Sequence, residues 1–350
     1  MITSALRQRA WSFDEEKAMT KTKEYKKIKV LGEGGNSIVY LVEDINDGQL
    51  LTFKTPKIRD GEEDIHSIKS FENEAKILSR LDHEAIPGFC GKIGSGILLQ
   101  HFEGTSLEKY LMKKGVFSEK EAVRIALELT DILRYLHGKR EPVIYRDLKP
   151  SNIVMKPDGH IALIDFGAAR IYSPNRKSDT VNLGTYGFAA PEQFGNLGQT
   201  DPRTDIYCFG MTLLQLISGV DTKDSEEVSR YKQNGVAGVS DELMGIIEKC
   251  TRPDRNDRFH SFVEIREALI RYPKTIKLRR TLSVVKLAIA ASLISVVLSF
   301  GIMQMDSIKA YAASDVEARM PAVQLRLYNA KLWIIEHIEE LNLKEGIEDL

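Results

Sequence analysis

Between residues 25 and 104 the apolar residues fall mostly in short runs and alternations. Residues 28–32, 38–43, 50–55 and 97–102 carry the β-branched and aromatic content of strands. Only 68–81 has helical spacing there, with Phe71, Ala75, Leu78 and Leu81 three or four positions apart. Glu103-Gly104 is expected to end the last strand. Beyond it the period changes. Residues 122–137 put Ile125, Leu129, Ile132, Leu133 and Leu136 on one face, and 205–217 and 242–250 behave alike. The pattern predicts an α+β protein of two lobes: a small β-rich N-lobe with one helix over 25–104 and a larger helical C-lobe over 105–272. Residues 1–24 are expected to be an irregular extension.

One segment fits neither period. Residues 287–305 hold no charge, and Gln304 and a few serines are the main polar interruptions. At about 1.5 Å per residue they reach roughly 28 Å, near the hydrocarbon thickness of a bilayer. A transmembrane helix is expected there, after a basic juxtamembrane segment over 273–286 and before a short tail over 306–350. Lysine and arginine crowd the N-terminal flank, with only Lys309 and Arg319 soon after the segment. The positive-inside bias then puts the large domain in the cytoplasm and the tail outside the cell membrane, as a single-pass protein. Met1 to Lys29 is polar and charged, so no signal peptide is expected. Ala291, Ser295 and Ser299 form a small-residue stripe that would let two copies pack as a homodimer. In the tail, Leu327, Ile334 and Leu341 fall at heptad spacing.

Composition narrows the classes. With 350 residues, 43% apolar and 28% charged, the chain can bury one large core or two moderate ones. Lys+Arg of 49 against Asp+Glu of 50 gives no argument for a nucleic-acid partner. Cys90, Cys208 and Cys250 lack metal-ligand spacing and are expected to be reduced thiols.

The candidate chemistry lies in two strings, Tyr145-Arg-Asp-Leu-Lys-Pro-Ser-Asn152 and Ile164-Asp165-Phe166-Gly167. An acid, a lysine and an asparagine at short spacing, followed by a second acid before a glycine, suit phosphoryl transfer from a metal-bound nucleotide. Asp147 would accept the proton of an attacking hydroxyl. Asp165 and the amide oxygen of Asn152 would hold Mg2+, with Mn2+ a second candidate. Upstream, Gly32-Glu33-Gly34-Gly35-Asn36-Ser37 separates two strand-like runs and is either a glycine hairpin or a phosphate cradle. Lys54 ends the next apolar run, and Glu74 on the predicted helix is the acid chosen to pair with it.

In this order and spacing the motifs resemble the protein kinase family, specifically the bacterial eukaryotic-like serine/threonine kinases with a single transmembrane helix. The resemblance implies that Gly32, Gly34 and Gly35 cover the phosphates of ATP, with Val39 among the nucleotide-binding positions. Lys54 would hold the α- and β-phosphates, braced by Glu74. Leu99 would guard the back of the pocket, and the backbone of Gln100 to Phe102 would read the adenine edge. Asp147 would be the catalytic base and Lys149 would neutralise charge on the transferred group, while Asn152 and Asp165 bind the metal. Gly184-Thr185 and Ala189-Ala190-Pro191-Glu192 resemble the segment that positions a protein Ser/Thr acceptor. Asp205 resembles the acid that braces the catalytic loop, and Glu192 with Arg258 a buried ion pair.

Ser37, Thr52 and Tyr145 depart from the family pattern without removing a reacting group; Thr52 adds a hydroxyl near the adenine. Ser173, Ser178 and Thr180 are candidate phosphorylation sites, with Arg146 and Arg170 placed to clamp a phosphate. The competing expectation is a kinase-like membrane scaffold without significant catalysis.

Overall fold

A computed structural model describes residues 10–12, 24–34, 37–59, 62–63, 65–173, 184–194, 199–271, 288–289, 291–292, 294–295, 324 and 326–333. The chain divides into two compact units, Met1–Lys274 and Thr275–Leu350.

In the first unit, strands β1 (Ala10–Ser12), β2 (Glu24–Glu33), β3 (Ser37–Asp44) and β4 (Leu50–Pro56) are followed by a short pair, β5 (Ile58–Arg59) and β6 (Glu62–Glu63). Helix α1 (Ile65–Leu78) and strands β7 (Phe89–Ile93) and β8 (Gly96–Gln100) complete the small lobe. The main sheet is antiparallel, in the order β1-β2-β3-β4-β8-β7. Two expectations need correction. The 1–24 extension is not wholly irregular, because Ala10–Ser12 pairs with Glu24–Lys26 as an edge strand. Edge pairing is made by backbone groups, so it needs no apolar alternation to announce it. The strand expected over 97–102 stops at Gln100, which pairs with Leu51 next to the first residue of β4, where the ladder runs out.

Strand alternation sorts the two faces of this sheet. Tyr25, Val42, Leu51 and Leu98 form an outer cluster with Tyr40, Phe53 and Ile93, whereas Ile97 and Leu99 join the main core with Phe71, Ala75 and Leu78 of α1. Lys54 follows Phe53 on β4 and therefore faces inward.

The larger lobe holds α2 (Leu107–Lys114), α3 (Glu119–His137), α4 (Pro202–Ser218), α5 (Ser225–Asn234) and α6 (Asp241–Cys250), and a helix over 262–271. Short strands β9 (Thr105–Ser106), β10 (Val143–Ile144), β11 (Ile153–Met155), β12 (Ile161–Leu163) and β13 (Arg170–Ile171) form two small sheets, β12-β11-β9 and β10-β13. The predicted apolar face of α3 is fully buried, and Ser118 with Glu121 makes a capping box at its start. Helix α4 begins before residue 205 because Asp201 caps it with Pro202 at the first helical position, and Gly219 ends it at φ 71°. The pattern gave no sign of α5, which buries only Val228 and so has no apolar stripe.

In the second unit, residues 288–289, 291–292, 294–295 and 326–333 are helical, and Ile289, Ile294, Leu327 and Trp333 are exposed. Among the described residues no helix is long and apolar enough to cross a membrane. Most of 287–305 lies outside the described residues, as do Gly35, Ser178, Thr180, Ser299, Ile334 and Leu341.

Candidate active site

Lys54 is buried and held by two acids. Its Nζ lies 2.8 Å from Glu74 Oε2, 3.1 Å from Oε1 and 2.7 Å from Asp165 Oδ1. The amide of Phe166 donates to the same Glu74 carboxylate at 3.1 Å. Two more bonds tie α1 to the turn after Asp165: Ser70 Oγ to Gly167 O at 3.2 Å and Asn73 Nδ2 to Ala169 O at 3.0 Å. Space at Gly167 is tight, since a Cβ would stand 3.2 Å from Asp165 Oδ1 and 3.3 Å from Lys54 Nζ, so a larger residue would have to displace one of these side chains. Burial pulls the Lys54 ammonium down, but Glu74 and Asp165 outweigh it and raise its pKa above the usual lysine value. The nearby Lys54 charge holds the Asp165 carboxyl below its ordinary value against the opposing effect of burial.

A second cluster forms in the loop between β10 and β11. Asp147 Oδ2 lies 2.9 Å from Lys149 Nζ and accepts from Asn152 Nδ2 at 2.9 Å, while Oδ1 accepts from Thr185 Oγ1 at 2.6 Å. Lys149 Nζ also donates to Thr185 Oγ1 at 2.5 Å. Arg146 (φ 68°) and Asp165 (φ 64°) both occupy the left-handed region without being glycine. Each costs about 1–3 kcal/mol and persists only where neighbours over-determine it. Here they do. Fully buried Asp205 accepts the amides of Tyr145 (2.9 Å) and Arg146 (2.7 Å), and its Oδ2 is 2.8 Å from His137 Nε2. Gln193 Nε2 donates to Arg146 O, Arg146 Nε to Ala168 O, and Thr212 Oγ1 to Leu148 O. Tyr145 donates its hydroxyl to Ile164 O and packs edge-on against Phe166, with ring centroids 5.1 Å apart. The amide of Ile164 donates to Asn152 O at 2.9 Å, which links the loop to the Asp165 segment.

The remaining oxygens suit a hard cation. The Asn152 amide NH2 is committed to Asp147 O and Oδ2, leaving its carbonyl oxygen. Asp165 gives Oδ1 to Lys54 and to the Gly167 amide, leaving Oδ2 on a half-exposed side chain. Two such ligands fit Mg2+, which takes the rest of its shell from phosphates and water. Among the described residues no group of three or more His, Cys, Asp or Glu is placed to hold a metal.

On the nucleotide side, Gly32 pairs with Val39 in the β2–β3 hairpin, and the Gly34 amide donates to Ser37 O at 2.9 Å. A Cβ at Gly32 would meet nothing within 4 Å, so internal packing does not demand that glycine. Val39 pairs with Lys54, and Leu99 pairs with Thr52. Gln100 closes β8, and Phe102 lies in the segment without regular structure that leads to β9. A cavity of about 280 Å3 opens beside Lys149, Thr185 and Phe188 and extends to Glu108, Asp221 and Lys223. A larger one of about 450 Å3 lies elsewhere, between Ile77 of α1, Leu81 just beyond it, Val143 and Ile171, and no predicted site residue lines it.

The structure thus joins Lys54, Glu74 and Asp165 in one cluster and Asp147, Lys149 and Asn152 in another. Sequence reasoning missed His137, Ser70, Asn73 and Gln193 as supports. Each acts across a long sequence separation through a single polar atom, and no local spacing signals that.

A small antiparallel sheet carrying a doubly paired lysine, joined to a helical lobe carrying an acid-lysine-asparagine loop, defines a two-lobed kinase fold. The chain belongs to the protein kinase family: the family model for the protein kinase domain matches residues 25–269. It is 33% identical over 246 residues to the proline-rich receptor-like protein kinase PERK13 of Arabidopsis thaliana, covering 68% of this chain and 33% of the relative. It is 29% identical over 222 residues to wall-associated receptor kinase 5 of the same plant, covering 59% of this chain and 29% of the relative. It is 29% identical over 280 residues to the serine/threonine-protein kinase PknA of Nostoc sp., covering 72% and 48%. The chain spans less than half the length of each of these three relatives.

Proposed function

We propose that the chain transfers the γ-phosphate of ATP to serine or threonine hydroxyls of proteins, as a membrane-anchored signalling kinase. The observation that carries this is the Lys54 ammonium held between Glu74 and Asp165, with Asp147, Lys149 and Asn152 in the adjoining loop. Lys54 would bind the α- and β-phosphates, and Glu74 fixes its position. Asp147 would take the acceptor's proton; the Thr185 hydroxyl already donating to its Oδ1 indicates how an acceptor hydroxyl would sit. Lys149, beside the same carboxylate, would offset charge on the moving phosphoryl group. Asn152 and Asp165 would hold Mg2+, which when bound neutralises charge between the phosphates. Gly32, Gly34 and Gly35 would admit the phosphates closely, with Val39, Leu99 and the backbone of Gln100 to Phe102 around the base.

The domain limits proposed are 25–272 for the kinase, 273–286 for the juxtamembrane segment, 287–305 for the span and 306–350 for the tail. The basic flank before the apolar run supports a cytoplasmic kinase, and the stripe from Ala291 to Ser299 supports dimerisation.

The test is Asp147→Asn and Lys54→Met in the full chain, assayed for autophosphorylation and for Mg-ATP binding. Asp147→Asn should abolish transfer and bind Mg-ATP within a few-fold of wild type. Transfer at the native rate by this variant would overturn the assignment. A wild type that binds ATP without transferring phosphate would favour the scaffold.

A further inference from the structure

Thr52 Oγ1 lies 3.0 Å from His101 Nδ1, across 49 residues. Thr52 stands two positions before Lys54 on β4, so strand alternation puts both on the inward face, away from Leu51 and Phe53 in the outer cluster. Its register partners are Leu41 on β3 and Leu99 on β8. His101 is half-buried and is the first residue beyond β8, between Gln100 and Phe102, in the irregular segment by which the sheet-bearing lobe continues to β9 and α2. The hydrogen bond therefore fastens the start of this connecting segment to strand β4.

We infer that Thr52 and His101 form a nucleotide-positioning pair: the bond holds the connecting segment against β4, so that the backbone of 100–102 is already set in the orientation that receives the base. This rests on the kinase proposal above, which assigns that backbone to adenine. Neither side chain needs to touch a transferring atom. Their contribution is pre-organisation, because a segment fixed before binding loses less freedom on binding. A hydroxyl is needed at position 52, and a methyl of the same size does not replace it. Burial, with Lys29 nearby, lowers the His101 pKa against the opposing charge of Glu103, so the ring is neutral near pH 7 and can share one hydrogen with the hydroxyl.

The test compares Thr52→Val, Thr52→Ser, His101→Phe and the Thr52→Val/His101→Phe double variant in the full chain. The readouts are KM for ATP, kcat, KM for a peptide acceptor, the dissociation constant of Mg-ADP by calorimetry, and the melting temperature. Thr52→Val should raise KM for ATP and Kd for ADP about three- to ten-fold, the size of one hydrogen bond, with kcat and acceptor KM within about two-fold. Thr52→Ser should restore wild-type values, and the double variant should be no worse than either single change. A purely structural bond would lower the melting temperature of Thr52→Val without this KM-against-kcat split, and that result overturns the inference. So does a Thr52→Ser variant as impaired as Thr52→Val. A chain that shows the predicted ADP pattern but transfers no phosphate would sink the kinase proposal and support the pair; a wild type that binds no ADP would sink both.

Discussion

Arg258 grips Glu192 with both arms of its guanidinium, Nη1 to Oε1 at 2.7 Å and Nη2 to Oε2 at 2.9 Å, across 66 residues and almost wholly out of water. The same guanidinium donates to the carbonyls of Arg252, Arg203 and Pro253, and Thr204 Oγ1 donates to Glu192 Oε1. Every charged atom is therefore matched. Removing one partner leaves an unmatched buried charge, so Arg258→Ala should cost about 3–5 kcal/mol in urea denaturation. Arg258→Met combined with Glu192→Gln should cost clearly less than the sum of the two single changes. Strict additivity would show that the two groups do not act as a pair.

Acid should weaken this lobe in a defined direction. Burial would push the Glu192 carboxyl up, but its hydrogen bond and charge interaction with Arg258 prevail and depress it. A carboxyl whose folded pKa is depressed adds stability above its unfolded value and loses it as pH falls through the folded value. Asp201, paired with Arg203 and Arg255, is depressed in the same sense. The urea midpoint of the wild type should thus fall as pH drops below about 4.3. Glu192→Gln should start lower at neutral pH and show a shallower decline. Equal acid slopes in both proteins would remove Glu192 from the account.

A phosphate on Thr180 or Ser178 is proposed to order the segment after Gly167. Burial lowers the Arg146 pKa to about 10, which leaves it cationic at neutral pH. Phosphopeptide mapping of active protein should find phosphate between residues 173 and 180, and Asp147→Asn should lack it. Full activity with no phosphate in this stretch would rule out the switch.

Topology is open to a direct measurement. Protease added to spheroplasts should trim a tag placed after Leu350 and spare one placed before Met1. The reverse pattern, or full-length protein recovered in the soluble fraction, would overturn the proposed orientation.

The sequence by itself determined the elements whose signal is local. The alternation in β3 and β4, the stripe on α3 and the fixed spacing of Asp147, Lys149 and Asn152 all arise from neighbours along the chain, so they were legible before any folding. The period of α1 likewise leaves Glu74 on the inward face, where it meets Lys54. Tertiary structure decided what depends on single atoms meeting across long separations: His137 standing behind Asp205, β1 adding an edge to the sheet, and Thr52 reaching His101. These contacts carry no periodicity. A hydrogen bond needs one donor and one acceptor about 3 Å apart, and only the packed lobes fix which polar atoms come that close.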